Sequence, residues 1–365
     1  MERIKYDPSE FQMEYAEGMF GSKTPIFHTP CTPRENFLAL FNGENPLWMP
    51  LSSDAKFFCS RVDPDNIARG FVFDGEGAYD REKYGGPDMF GIEWVFVPVV
   101  GGSMENPDNP HIMEDANEWR DVIKFPDVNA WDWEGHASAE GNLAWFEKNK
   151  DYDISGMLLN GFGFERLVSF MGFENAAMAI IDDDQIDAVK ELCNEICEKV
   201  YIPYVDNLHK YFPGITHICL HDDWGSQRAP FFSLNAARDA FVEVYQKFNS
   251  HLKSLGLISE LHSCGKNDLI VPGYIESGFE TWNGMYMNDK RNLFELYGDK
   301  FIFAVDPPEI AADMNASDED LWAAAKEFCE FFIRDGKCRT IANCMRTNPK
   351  FTVDVYRISR EMLSA

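Results

Sequence analysis

From residue 150 onward, short apolar runs of strand length alternate with longer amphipathic stretches, and this alternation leaves few folds open to the chain. Met157 to Asn160 reads as a short strand. The stretch beginning at Asp184 puts Ile186, Val189, Leu192, Ile196 and Val200 on one helical face. His217 to His221 reads as the next strand. Ser233 can cap a helix whose apolar face is Ala237, Phe241, Val244, Phe248 and Leu252, and Gly256 can end it. Leu257 to Cys264, Phe279 to Trp282, Phe301 to Val305 and Thr340 to Cys344 follow as strands, with a helix over Leu321 to Ile333. Strands alternating with helices imply βαβ units and a parallel sheet. Counted with a first strand at Pro46 to Ser52, the strands number roughly eight, and polar residues gather where they end. The expected fold class is α/β, a closed (β/α)8 TIM barrel in preference to an open doubly wound sheet. Gly161-Phe-Gly163 lacks the third glycine of a dinucleotide-binding turn.

A single domain over residues 1–365 is expected, with two additions. Residues 1–45 read as an N-terminal extension of irregular structure, because Pro25, Pro30 and Pro33 sit close together; its expected role is a lid or the contact of a homodimer. Residues 70–129 are rich in glycine, proline and aromatic residues and read as an insert over the barrel mouth, with hairpin-like strands such as Ile92 to Val100. The chain carries 61 acidic and 33 basic side chains, a formal charge of −28. Such a field repels phosphate backbones and anionic bilayers, so neither nucleic acid nor a membrane is an expected partner. The N-terminus has no apolar core of a secretory signal, and no apolar run approaches transmembrane length. The expected location is the cytoplasm, where the nine cysteines are core fillers, metal ligands or nucleophiles.

His262-Ser-Cys264-Gly265 is the sharpest local feature. It ends a predicted strand, so His262 and Cys264 point to one side. Imidazole nitrogen and thiolate sulfur are ligands that zinc prefers. Cys344, at the end of the last predicted strand, is the candidate third ligand, and three protein ligands leave a position open for substrate. Cys338 is its rival, placed at the opposite end of the same strand. Cys193 and Cys197 share a helix face and read as core, as do Cys31, Cys59, Cys219 and Cys329. Asp222 and Asp223 follow a strand end and are the candidates for proton handling, for a fourth zinc ligand, or for a turn or helix cap. Trp224 and Gln227 are placed to line a pocket, with Phe90 and Trp282 among the aromatic residues suited to a flat apolar substrate. His221 reads as a satisfied core histidine, Glu165 and Arg166 as an internal ion pair, and Asp54 as a further mouth residue.

The His262-Ser-Cys264-Gly265 segment resembles the HxCG segment of the methyltransferase branch of the uroporphyrinogen decarboxylase superfamily. Ile341-Ala-Asn-Cys344, with the Met-Arg-Thr-Asn-Pro349 after it, resembles that branch's distal cysteine segment. Asp88-Met-Phe-Gly-Ile-Glu-Trp94 and His221-Asp-Asp-Trp-Gly225 are similar to segments of members associated with O-demethylation. The likeness spans roughly residues 35 to 360, nearly a whole barrel. It implies a uroporphyrinogen decarboxylase-like barrel, zinc on His262, Cys264 and Cys344, and methyl exchange with the cobalt of a separate corrinoid (cobalamin) protein. It tilts the expected substrate toward a small methoxylated compound, aromatic among the options. Two rivals stand beside it. A porphyrinogen decarboxylase would carry arginines after its first strand, where Pro50-Leu-Ser-Ser-Asp-Ala-Lys56 has none. A non-catalytic barrel that binds a corrinoid protein is the other.

Overall fold

Parallel strands that are apolar on both faces have to be buried on both. The computed structural model describes residues 1–17, 23–99 and 101–364. It divides into a smaller unit, residues 1–56, 150–153 and 289–365, and a larger one, residues 57–149 and 154–288.

In the larger unit the strands Asp153–Leu158 (from its second residue), His217–His221, Ile258–Ser263 and Thr281–Gly284 run parallel in sequence order. Gly156 lies opposite Ile218, Leu220 opposite Leu261, and Trp282 opposite Leu261. Helix Phe164–Ala179 follows the first of these strands. Helices Ile186–Ile196 and Ile202–Tyr211, joined by a π turn, lead to the second. Val189, Leu192, Ile196 and Val200 are buried, as the periodicity requires. The helix before Ile258 begins at Leu234, its first turn capped by the Ser233 hydroxyl, which accepts from the Ala236 amide at 3.1 Å. Ala237, Phe241, Val244, Phe248 and Leu252 are all buried, the four larger side chains each contributing about 1.5–3 kcal/mol over exposure. Gly256 stops the helix with φ +74°, a conformation open to glycine at little cost.

The segment expected as an insert forms its own antiparallel sheet, Gly85–Pro87, Glu93–Val97 and Gly102–Glu105, within the larger unit. The central strand ends at Val97, short of the predicted end; Val100 lies outside the described residues.

In the smaller unit, Ile302–Val305 and Thr340–Ala342 pair in parallel, with helices Asp318–Phe332 and Pro349–Ser364. Two expectations are corrected here. Pro46 to Ser52 is not a strand; it makes one bridge, Leu51 to Ala342. Its prolines offer no amide hydrogen. Its other amides are taken by side chains: Leu47 and Trp48 donate to Asn36 Oδ1 at 2.6 and 3.3 Å, and Met49 donates to Ser359 Oγ at 3.1 Å. The extension is also ordered where described. Phe11–Glu17 pairs with Lys23–Phe27, and Pro33 opens helix Pro33–Phe41 behind a Thr32–Glu35 capping box. Its expected lid or dimer role falls partly on residues 18–22, which lie outside the described residues. The hairpin is tied to its own unit, for Glu10 accepts from Tyr356 Oη at 2.6 Å and pairs with Arg360 at 2.9 Å. Among the described residues, no helix is long and apolar enough to cross a membrane.

Candidate metal centre

Parallel pairing puts His221 directly opposite His262 at the C-terminal ends of two neighbouring strands. Their rings stack with centroids 4.9 Å apart. Two residues further along each chain come Asp223 and Cys264, brought to the same side by the strand alternation. The result is a square of ligands, His221, Asp223, His262 and Cys264, whose donor atoms all lie within 4.8 Å of one another. His262 Nε2 is 3.4 Å from Cys264 Sγ, and His221 Nε2 is 3.8 Å from Asp223 Oδ1. The Cys264 amide donates to Asp223 Oδ1 at 2.6 Å and so fixes that carboxylate. Gly265 makes the turn after the cysteine in the left-handed region, φ +91°, and a Cβ there would lie 2.2 Å from the Gly225 carbonyl oxygen.

A buried polar layer supports the square. His221 Nδ1 lies 2.7 Å from Glu165 Oε2, and Arg69 Nη1 donates to Glu165 Oε1 at 2.6 Å. Arg69 also bonds Asn160 Oδ1 and lies 4.8 Å from the Trp94 ring centre. Asn160 holds φ +53°, unusual for a residue with a side chain, just past the end of its strand. Arg166 turns the other way from Glu165 and pairs with Asp65 and with Asp88, the latter at 2.9 Å. The expected Glu165–Arg166 pair is therefore not made; neighbours on a helix point to different faces.

These contacts set the charges. Burial pushes the His221 imidazole down, but Glu165 and Asp223 outweigh it and hold the ring well above its ordinary value. Burial likewise pushes Glu165 up, and His221 with Arg69 reverses this, leaving it well below the usual carboxylate range. Burial and the nearby His221 charge bring His262 down to about 4, whereas a metal on His221 would have to displace the proton on its Nε2. Burial raises the Cys264 thiol.

Of the remaining candidates, those in the larger unit have other placements. Asp222 is fully buried, and its carboxylate accepts from the Phe164 amide at 3.2 Å, the Glu165 amide at 2.7 Å, Trp224 Nε1 at 2.6 Å and Tyr245 Oη. It caps helix Phe164–Ala179 from a neighbouring strand, a structural placement in which the four donors occupy its oxygens. Gly163 makes room for it, since a Cβ there would sit 2.4 Å from Asp222 Oδ2. Trp224 is a core ring among Phe232, Phe241, Tyr245 and Tyr274. Trp282 is fully buried against Tyr274. Phe90 is half-buried with the Arg166 guanidinium 4.7 Å from its ring centre, and Gln227 is exposed on a loop. Cys344 belongs to the smaller unit, where Thr347 Oγ1 donates to its carbonyl oxygen at 3.1 Å and burial pushes its thiol up to about 12. Cys338 and Asp54 are in that unit as well. Cys338 Sγ lies 3.5 Å from the Thr340 carbonyl oxygen, and Asp54 accepts from Trp48 Nε1 and the Leu51 amide. His221, which reads as a core histidine in the sequence, is the member of the square that strand pairing adds. The signal was present: His221-x-Asp223 and His262-x-Cys264 share one spacing at the ends of consecutive strands.

No protein-family model matches the chain, and no curated protein does. Among solved structures, the chain is similar to a Group IV chitinase of Ostrinia furnacalis in complex with allosamidin, at 8% identity and TM-score 0.34, covering 67% of this chain and 88% of that one. It is also similar to a sugar phosphate isomerase/epimerase from Parabacteroides distasonis, at 10% identity and TM-score 0.29, covering 70% of this chain and 82% of that one. Likenesses this low carry no argument about fold or chemistry.

Proposed function

We propose that the chain is a zinc-dependent methyltransferase on a uroporphyrinogen decarboxylase-like (β/α)8 barrel, moving a methyl group from a small methoxylated compound to the cobalt of a corrinoid protein. The observation that carries the metal part is the square of two imidazoles, a thiol and a carboxylate at paired strand ends. The donor set fits zinc, with nitrogen and sulfur ligands predominating. The support behind it fits as well, because metal-bound histidines commonly hold a carboxylate on their second nitrogen, as His221 holds Glu165. His221, His262 and Cys264 would hold the ion. The methyl-transfer part rests on the sequence resemblance.

Bound zinc would act as a Lewis acid toward an ether oxygen that must leave as an anion. In the balanced reaction the methyl carbon–oxygen bond breaks and a cobalt–carbon bond forms. Reduced cobalt supplies the electron pair, and the departing oxygen takes up a proton. Asp223 would relay that proton, a role its exposure and anchoring support. Its side chain is 30% exposed against 12% for His221, and its Oδ1 is anchored by the Cys264 amide. The test is methyl transfer from methoxylated aromatic compounds to cob(I)alamin, followed by the absorbance of methylcobalamin. Transfer that needs zinc and disappears in Cys264→Ser is expected. A zinc-loaded protein that demethylates none of a broad set of methoxylated compounds would overturn the methyltransferase reading.

A further inference from the structure

The polar layer behind the ligand square has a direction. Glu165 divides its two oxygens between different partners, Oε1 to Arg69 and Oε2 to His221 Nδ1. That leaves His221 Nε2 facing Asp223 and the square. Arg69 is in turn held by Asn160 Oδ1 and by the face of Trp94, whose Nε1 donates to Asp88 Oδ2 at 3.2 Å. Asp88 also accepts from the Phe90 and Ile92 amides and so shapes the turn before Trp94. An Arg69–Glu165 ion pair alone would need neither the histidine nor a left-handed Asn160.

We propose that Glu165 is a positioning residue, clamped by Arg69 beneath Trp94, that fixes the ring of His221 with Nε2 toward the metal. The inference rests on the metal reading above, and it gives the Asp88–Trp94 segment a role: it carries the outer support of the site. An imidazole whose Nδ1 is held this way pays less ordering cost on metal binding and is a better donor at Nε2.

The test uses the full chain and the metal alone. Zinc affinity is measured by competition with a chromophoric chelator for wild type, Glu165→Gln, Arg69→Met, Arg69→Lys and the Glu165→Gln/Arg69→Met pair. Each single loss is expected to weaken zinc about 10- to 100-fold. The double variant should be no weaker than the worse single one, because both act through one histidine. Arg69→Lys, which keeps the charge, should fall between wild type and Arg69→Met. In the metal-free protein, the ring 15N shifts of His221 should move in Glu165→Gln. Zinc affinities within twofold of wild type would overturn the positioning role and leave the metal reading standing. A wild type that binds no zinc would remove the metal reading; the 15N shifts then decide, and unmoved shifts overturn Glu165 as the group that orients His221.

Discussion

Replacing Asp222 by alanine removes the acceptor for four buried donors at once: two amides in the first turn of helix Phe164–Ala179, an indole and a phenol. Each buried donor left without a partner costs about 1–3 kcal/mol. Partial repair by water at the vacated site lowers the sum, so we expect a loss of about 4–8 kcal/mol, a large share of a typical domain's stability. Asp222→Asn keeps the shape and one oxygen but turns an amide nitrogen toward donors, and should cost about half as much. Equilibrium urea unfolding of both variants gives these numbers directly. The same proteins, loaded with zinc below their unfolding midpoints, should retain methyl transfer in proportion to the folded fraction. An Asp222→Asn protein as stable as wild type within about 0.5 kcal/mol, yet inactive when folded, would refute the reasoning and return Asp222 to the chemistry.

Arg166→Met should destabilise the fold by about 3–5 kcal/mol in urea, because Asp65 and Asp88 would stay buried without their cation; a loss under about 1 kcal/mol would contradict the assigned network. Burial raises Asp54 to about 6, so the folded state holds its proton more tightly than the unfolded chain does. The stability this gives is complete below pH ~4 and disappears as the pH rises toward 6. Asp54→Asn should abolish that fall, worth about 3 kcal/mol. A single amide oxygen can serve both native donors, which share Oδ2. Equal pH profiles of the urea midpoint for wild type and Asp54→Asn would count against this.

The helices were legible because their apolar periodicity is set by the same burial that stabilises them, as Ala237 through Leu252 illustrate. Pro46 to Ser52 misled because its composition suits a strand, whereas its amides are claimed by Asn36 and Ser359 from distant segments. Half of the ligand square, His262 and Cys264, could be read from one local motif, and Asp223 was a candidate fourth ligand beside Asp222. His221 depends on strand register, which sets it against His262 and is fixed by pairing. The opposite roles of Asp222 and Asp223 follow from alternation along the chain: one points into a ring of donors, the other toward the cluster. Trp224 and Trp282 illustrate the same limit, since an aromatic residue near a strand end is equally suited to core and pocket until its neighbours are known.

The central claim is that the larger unit holds a metal on its own side chains. Zinc content of the purified protein, with His262→Ala, Cys264→Ser and Cys344→Ser beside it, tests this most directly. About one zinc per chain is predicted for wild type and for Cys344→Ser, with loss in the other two. Loss in Cys344→Ser would replace this set by the His262, Cys264 and Cys344 set of the sequence expectation, and a zinc-free wild type, or full retention in Cys264→Ser, would contradict the claim.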